Sequence, residues 1–418
     1  SSSSSSSSGV VDMEDLGSII KAADEEKKSA AAGAVKEMLN AQQRSSLTKQ
    51  GYKLIGSHSG VKLCRWTKAM LRGRGGCYKH TFYGISSYQC MEMTPSLACA
   101  NKCVFCWRHH TNPVGKEWKW VMDPPEMIIE AAISKHQQMI KTMKGVPGVQ
   151  PARFQEAFTV KHCALSLVGE PIMYPKINEY LKMLHERNIS SFLVTNAQFP
   201  DKIQTLDPVC QLYVSVDAST KQELKEVDRP LFSDFWERFL ASLTSLKDKR
   251  VRTVYRLTLV KGFNMSEVSE YAKLVTLGQP TFIEIKGVTF CGNNNKDSLT
   301  MQNVPFHTEV RDFCEALCKQ LDTKYEIACE HAHSCCILIS DTKLKVGGVW
   351  HTWIDYPKFN QLAMRFYETG ETFTDMDYIA PTPSWAVYGA EEEGFDPEET
   401  RWRRKAKGDG KISLEDKA

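Results

Sequence analysis

The middle of this sequence predicts an α/β fold: parallel strands closed or half closed into a partial (β/α) barrel, with an extension at each end. Three observations predict it. Apolar, β-branched runs recur at 162–168, 191–194, 211–216, 253–260 and 281–285. Helix-like segments fall between them, near 177–187, 235–246 and 267–277, an alternation expected of βα units whose helices cover a parallel sheet. The runs also end on polar residues: Gly169-Glu170-Pro171, Thr195-Asn196, Ser215-Val216-Asp217, and Arg256 with Thr258 before Lys261. Barrels carry their active groups at the carboxyl ends of the strands, so these tips are expected to face one bowl. Taken singly each tip is weak, because Asn, Ser and Asp also serve turns.

The 418 residues are 42% hydrophobic and 25% charged, enough for a large core in a globular chain. No apolar run approaches the ~20 residues of a membrane span, and the first eight residues are serines rather than a signal sequence. The expectation is a cytoplasmic protein without membrane contact. Six of the fourteen cysteines fall between Cys64 and Cys106, a clustering that suits metal chemistry in a reducing compartment better than disulfides.

In order, residues 1–44 read as a disordered linker with some helical tendency near 12–43, and 45–93 as a cysteine-bearing extension. The barrel core is expected over 94–300, with a helical stretch after Pro124 and Pro125 to about Met143 ahead of its alternating strands. An α+β extension follows over 301–390, with a helix near 309–321 and strand-like stretches at 325–339 and 343–354. The last part, 391–418, reads as a charged tail whose Arg401, Arg403, Arg404 and Lys405 suit phosphate.

The core opens on Cys99-Ala-Asn-Lys-Cys103-Val-Phe-Cys106-Trp107. Three thiols at this spacing converge on one centre from a single loop. A structural zinc site closes with four ligands, whereas an iron-sulfur cubane held by three thiolates keeps one iron open. An open iron is what radical use of S-adenosylmethionine (SAM) requires, and Phe105 offers an aromatic wall beside it. The alternatives are a Cys3His zinc knuckle closed by His109 or His110, and cysteines that merely pack.

Charge surrounds this loop. From Arg44 to Val121 thirteen lysines and arginines face two acids, Glu92 and Glu117, for a local net charge of +11. Trp66, Tyr78, Tyr83, Trp107, Trp118 and Trp120 are interleaved with them. A charge run is often only a solvated face, but basic and aromatic residues together suit phosphate contact with base stacking, which makes nucleic acid the leading partner. In the same segment Cys64, Cys77 and Cys90 stand at equal gaps around the glycine-rich 72–77, as three ligands from separate turns or as free thiols. Lys79 follows Cys77 by two positions. A lysine held dry beside other cations, here Arg72 and Arg74, can condense with a carbonyl as a Schiff base; one that stays charged can pair with a carboxylate or a phosphate. Glu170 suits an ammonium, and Asn196, Ser215 and Asp217 suit a ribose or carboxylate. Cys329, His331, His333 and Cys335 resemble a metal site, but i, i+2 residues on one strand stand ~7 Å apart, so these four are read as a wall.

Together these residues resemble the radical-SAM tRNA 4-demethylwyosine synthases of wybutosine biosynthesis, in their eukaryotic form. The resemblance covers roughly 46–404 and rests on Cys99-x3-Cys103-x2-Cys106 with Trp107-Arg108-His109-His110, on Cys64, Cys77 and Cys90, on Lys79, and on 167–171, Leu-Val-Gly-Glu-Pro. It implies a partial barrel of the radical-SAM type and two [4Fe-4S] clusters, the second on Cys64, Cys77 and Cys90. It implies SAM, which is expected to lie across the bowl with its amino group toward Gly169 and Glu170, its ribose toward Asn196, Ser215 and Asp217, and Phe105 as a wall. The implied reaction is a lyase-type condensation of N1-methylguanosine beside the anticodon of tRNA(Phe) with pyruvate, with Lys79, the second cluster or both activating the carbonyl. Eukaryotic members resemble fusions with a flavodoxin-like, FMN-binding electron donor. None lies in these 418 residues, so a fragment or shortened copy is expected, with FMN present only if such a domain or partner is. Two other readings stay open: a radical-SAM enzyme acting on peptide or lipid, and a non-catalytic zinc-bearing RNA-binding protein.

Overall fold

The computed structural model describes residues 35–106, 112–290 and 299–401. A single ten-stranded sheet organises them, in the order β1-β2-β3-β4-β5-β6-β7-β8-β10-β9. β1 is Lys53–Ile55, β2 Ser59–Lys62, β3 Cys90–Thr94, β4 His162–Leu165, β5 Ser190–Thr195, β6 Gln211–Ser215, β7 Arg252–Leu259, β8 Phe282–Gly287, β9 Tyr325–His331 and β10 Cys336–Asp341. β3 to β8 are parallel neighbours. β1, β2, β9 and β10 pair antiparallel at the two ends. The five expected runs are therefore β4 to β8.

Local chemistry accounts for these elements. All four residues of β4 are buried, as a parallel strand covered on both faces requires. The helix Ile177–Glu186 buries Ile177, Tyr180, Leu181 and Leu184, an i, i+3, i+4, i+7 stripe laid on the sheet. The helix Pro125–Lys141 starts on a proline, whose missing N–H is one the first turn leaves unbonded anyway.

Several expectations are corrected. Cys90–Thr94 is the first parallel strand, so the residues expected as a separate extension enter the sheet through β1, β2 and β3. The 325–339 stretch is two antiparallel strands broken at Ala332–Ser334, and Cys335 has φ 49°, so the single-strand spacing assumed for Cys329 to Cys335 does not hold. β9 and β10 extend the barrel sheet across the boundary expected at 300. The helix Ala41–Lys49 runs through residue 44, and Met38 and Leu39 just before it are buried. The tail is packed as far as Arg401: Phe395 is buried, His80 meets Asp396 at 2.9 Å, and Glu399 accepts from the Gly75 N–H at 2.9 Å. The helix expected near 12–43 lies mostly outside the described residues, as do Trp107, Arg108, His109, His110, Arg403, Arg404 and Lys405. Among the described residues no helix is long and apolar enough to cross a membrane, and the thirteen described cysteines form no disulfide.

Candidate active site

A cavity of about 530 Å3 opens inside the curl of the sheet, and residues of all six parallel strands or the loops that follow them reach it. A flat sheet offers no such common space, so the barrel's curvature is what gathers the strand tips. Every candidate from the sequence lines it: Cys99, Cys103, Phe105 and Cys106; Cys64, Cys77 and Cys90; Lys79; Gly169, Glu170, Asn196, Ser215 and Asp217.

The first cysteine loop is stitched down by its backbone. Lys102 N–H donates to the Asp228 carbonyl at 2.9 Å and Val104 N–H to that of Val227 at 2.8 Å, fixing the loop to the end of the helix Lys221–Val227. Cys99 N–H donates to Pro113 O at 3.2 Å, and its carbonyl accepts from Gly115 N–H at 3.1 Å. Cys103 stands within electrostatic reach of both Cys106 and Cys99, and burial pushes its thiol well up. The second triplet sits on different supports. Cys64 and Cys77 immediately precede the short helices Arg65–Met70 and Tyr78–Tyr83, and Cys90 opens β3. Burial first, then the charges of Glu92 and of Cys77 and Cys90, raise the Cys64 thiol. Within each triplet one sulfur thus lies in electrostatic reach of the other two, and a donor reaches a sulfur in each: Asn196 Nδ2 to Cys99 Sγ at 3.5 Å, and Ser87 Oγ to Cys77 Sγ at 3.5 Å. Among the described residues no three His, Cys, Asp or Glu side chains converge on one metal ion. A cluster does not require it, since each of its thiolates binds a different iron.

The strand tips offer buried acceptors to the cavity. Gly169 has φ +74°, and a Cβ there would fall on the Ser96 carbonyl oxygen, so only glycine lets the end of β4 lie against the segment leading into the cysteine loop. Glu170 N–H then donates to Ala98 O at 2.7 Å. Burial pushes the Glu170 carboxyl up to about 7, opposed by the Asn196 N–H that donates to it at 2.8 Å. Its Oε1 is buried with no hydrogen-bond partner, an acceptor matched to an incoming ammonium. Asp217, raised to about 6 by burial against the pull of Arg256, accepts from Thr258 N–H at 2.9 Å.

Lys79 lies with its Nζ 5.2 Å from the Tyr213 ring centroid. Its expected cationic neighbours are corrected: Arg72 and Arg74 line a separate pocket, because left-handed Gly73 and Gly75 turn that loop, and neither reaches the cavity. Sequence reasoning assigned no role to Glu92, Asp228 or Lys286. Burial raises the Glu92 carboxyl while Lys79 foremost, then Cys64, Lys62 and Arg256, pull it back, so it stands within reach of Lys79. Its signal was present, as one of only two acids in the basic segment. Asp228 is raised by burial and then by Asp217, and its Oδ1 lacks a partner. Burial and then Arg256 lower Lys286, one residue beyond the run expected at 281–285. His331 and His333 pack on Trp66, with ring centroids 6.0 and 5.5 Å away.

Comparison with known proteins agrees with this geometry. Residues 93–275 match the Radical SAM superfamily and residues 277–341 match "Wyosine base formation". The SAM-dependent tRNA 4-demethylwyosine synthase of Oryza sativa subsp. japonica is 62% identical over 98% of this chain, and that of Homo sapiens 61% over 95%. This chain spans 63% and 57% of their lengths. A solved structure, TYW1 with a lysine-pyruvate adduct bound, superposes with a TM-score of 0.65 at 30% identity, covering 73% of this chain and 97% of that one. An archaeal TYW1 crystal structure gives 0.60 at 28% identity, covering 74% and 99%. With two cysteine triplets on one barrel, and identity sustained over nearly its whole length, the chain belongs to the radical-SAM tRNA 4-demethylwyosine synthase family.

Proposed function

We propose that this chain carries out the radical-SAM condensation of N1-methylguanosine in tRNA(Phe) with pyruvate to form the tricyclic wyosine precursor, a carbon-carbon lyase reaction in the cytoplasm. The observation that carries the reading is that both cysteine triplets and Lys79 line one cavity. Cys99, Cys103 and Cys106 would hold the first [4Fe-4S] cluster and Cys64, Cys77 and Cys90 the second. When bound, the first cluster and SAM supply a one-electron cleavage that yields a carbon radical able to take hydrogen from an N-methyl group.

The chain's own residues do the rest. Glu170 holds the SAM ammonium on its unpartnered oxygen, Asn196, Ser215 and Asp217 take the ribose and carboxylate, and Phe105 walls the site. Lys79 condenses with the carbonyl carbon of pyruvate, releasing water, and so holds that carbon in the cavity. The relative solved with a lysine-pyruvate adduct supports this role. Glu92 is placed to exchange a proton with the Lys79 nitrogen. The methylene radical left on the base adds to the carbonyl carbon held as the Lys79 imine, and the imine re-forms as the bond to the carboxyl group breaks. The carboxyl leaves as a carbon dioxide radical anion, which one further electron from the donor and a proton turn into formate. The exocyclic amine of guanine then displaces the Lys79 amine at that carbon as the third ring closes. Electrons come from a flavodoxin-like, FMN-binding domain or partner.

The test is anaerobic reconstitution with iron, sulfide and a strong chemical reductant, then incubation with SAM, labelled pyruvate and tRNA(Phe) bearing N1-methylguanosine. Nucleoside digestion and mass spectrometry should show the tricyclic base carrying pyruvate label. SAM cleavage with no labelled nucleoside would remove this substrate assignment.

A further inference from the structure

Outside the catalytic cavity, the helix Arg65–Met70, the glycine-rich loop, the β9–β10 turn and the C-terminal segment enclose a second pocket of about 250 Å3. Arg65, Lys68, Arg72, Arg74 and Arg401 supply its charge, and Trp66, His333 and Phe395 its aromatic walls. Arg65 and Lys68 are exposed, and neither they nor Arg72 has a carboxylate at ion-pair distance among the described residues. Arg72 Nε is buried with no acceptor. Glu399, near Gly73, is taken up by Arg153 and the Gly75 amide. A strongly cationic pocket with an orphaned buried donor is built to receive an anion.

Its size and position narrow the choice. The volume falls below the ~300–1,000 Å3 of sites that enclose a whole small molecule, which favours part of a larger ligand. Arg65 and Trp66 line this pocket and the catalytic cavity alike, so the two share a wall. The Arg65 guanidinium lies 5.0 Å from the Trp66 ring centroid, and His333 meets the same ring edge-on at 5.5 Å, which fixes the indole between the two spaces. Unpaired RNA is read by this combination, cations on the phosphate and a flat side chain on the base.

We propose that this pocket is a nucleotide subsite: Lys68, Arg72 and Arg401 hold a backbone phosphate next to the guanosine being modified, and Trp66 stacks on the neighbouring unpaired base. The inference rests on the RNA substrate proposed above and adds where the strand runs as its base enters the cavity.

The test measures binding of an RNA stem-loop bearing N1-methylguanosine beside its anticodon to the full chain, across a salt series, with SAM binding in parallel. In Lys68→Gln/Arg72→Gln, whose positions lie outside the cavity, the slope of log affinity against log salt should flatten by about 1.4, two contacts at ~0.7 each on a single strand. SAM binding should be unchanged. Trp66→Leu should weaken RNA binding about tenfold or more with the slope kept, since stacking releases no counterions. If the double variant does not fold, Lys68→Glu at the exposed position should flatten the slope by itself. Wild-type slope and affinity in these variants would overturn the subsite while leaving the enzyme reading intact. So would variants that lose inorganic phosphate but keep the RNA, which would make this a free-anion site. A wild-type chain that does not bind the RNA removes both.

Discussion

Asn196 Nδ2 lies 3.5 Å from the sulfur of Cys99, so the end of β5 touches the cysteine loop directly. The side chain is held for that contact, since its Oδ1 accepts from Gln198 N–H at 3.1 Å while its own backbone N–H bonds Glu170. A donor on a cluster thiolate withdraws electron density and raises the reduction potential. Asn196→Ala keeps all three thiols, so iron content should hold while the midpoint of the SAM-binding cluster moves more negative in an EPR-monitored titration. An unmoved midpoint would mean that the amide does not donate to the sulfur.

Gly169→Ala should harm both fold and cofactor binding. A left-handed L-residue costs ~1–2 kcal/mol, and here the added methyl also meets the Ser96 carbonyl, which must shift. Gly145 is the control: its φ is +73°, but nothing lies within 4 Å of an added Cβ. Gly169→Ala should therefore lower Tm by more than Gly145→Ala in a thermal melt, and it alone should weaken SAM binding. Equal melts would show that the loop yields without cost.

The Glu170 carboxyl, raised to about 7 by burial, makes SAM binding depend on pH. The ammonium of SAM selects the carboxylate, so affinity should fall as pH drops through about 7, towards tenfold per unit well below it. Glu170→Gln should bind SAM weakly and with a flat profile over that range. Linkage gives the sign for the empty protein as well. A pKa above the ordinary 4.5 means the folded state keeps a proton the unfolded chain has released, so this contribution to stability is present below about 4.5 and lost as pH rises through about 7. Equilibrium dialysis and melts of wild type and variant check both.

What the sequence made legible was local. Strand tips and cysteine spacings are chain-adjacent features, and β4 to β8 announced themselves as apolar runs alternating with helix-like segments. β3 did not, because Cys90-Met-Glu-Met-Thr puts a carboxylate between its only two large apolar side chains and so offers no apolar run. Glu92 is there because that face of β3 looks into the cavity, a fact only the assembled sheet supplies. Arg72 and Arg74 were misplaced because proximity in sequence to Lys79 says nothing across a loop turned by left-handed Gly73 and Gly75. Phe395 and Glu399 read as part of a polar tail, yet they are buried against residues more than three hundred positions earlier.

The two cysteine triplets predict two clusters. Anaerobic protein should hold about eight irons per chain if each triplet holds a cubane, and Cys64→Ala/Cys77→Ala/Cys90→Ala should hold about four. SAM cleavage driven by a chemical reductant should survive in that variant, because the first triplet and Glu170 are untouched, while the tricyclic base should not form. Full iron content in the triple variant would remove the second cluster.

Lys79 is the remaining choice, between a lysine that bonds pyruvate and one that pairs with charge. Its Nζ stands over the Tyr213 ring within reach of Glu92. A lysine that only pairs with a carboxylate or phosphate is replaceable by arginine, whereas an imine needs a primary amine. Borohydride added with labelled pyruvate should fix label on the peptide carrying Lys79 in wild type. Lys79→Arg should take up no label and form no tricyclic base, although its clusters and SAM affinity remain. Glu92→Gln, which leaves the amine but removes the proton acceptor, should slow labelling without abolishing it. Normal product from Lys79→Arg would end the covalent role and move carbonyl activation to the cluster on Cys64, Cys77 and Cys90.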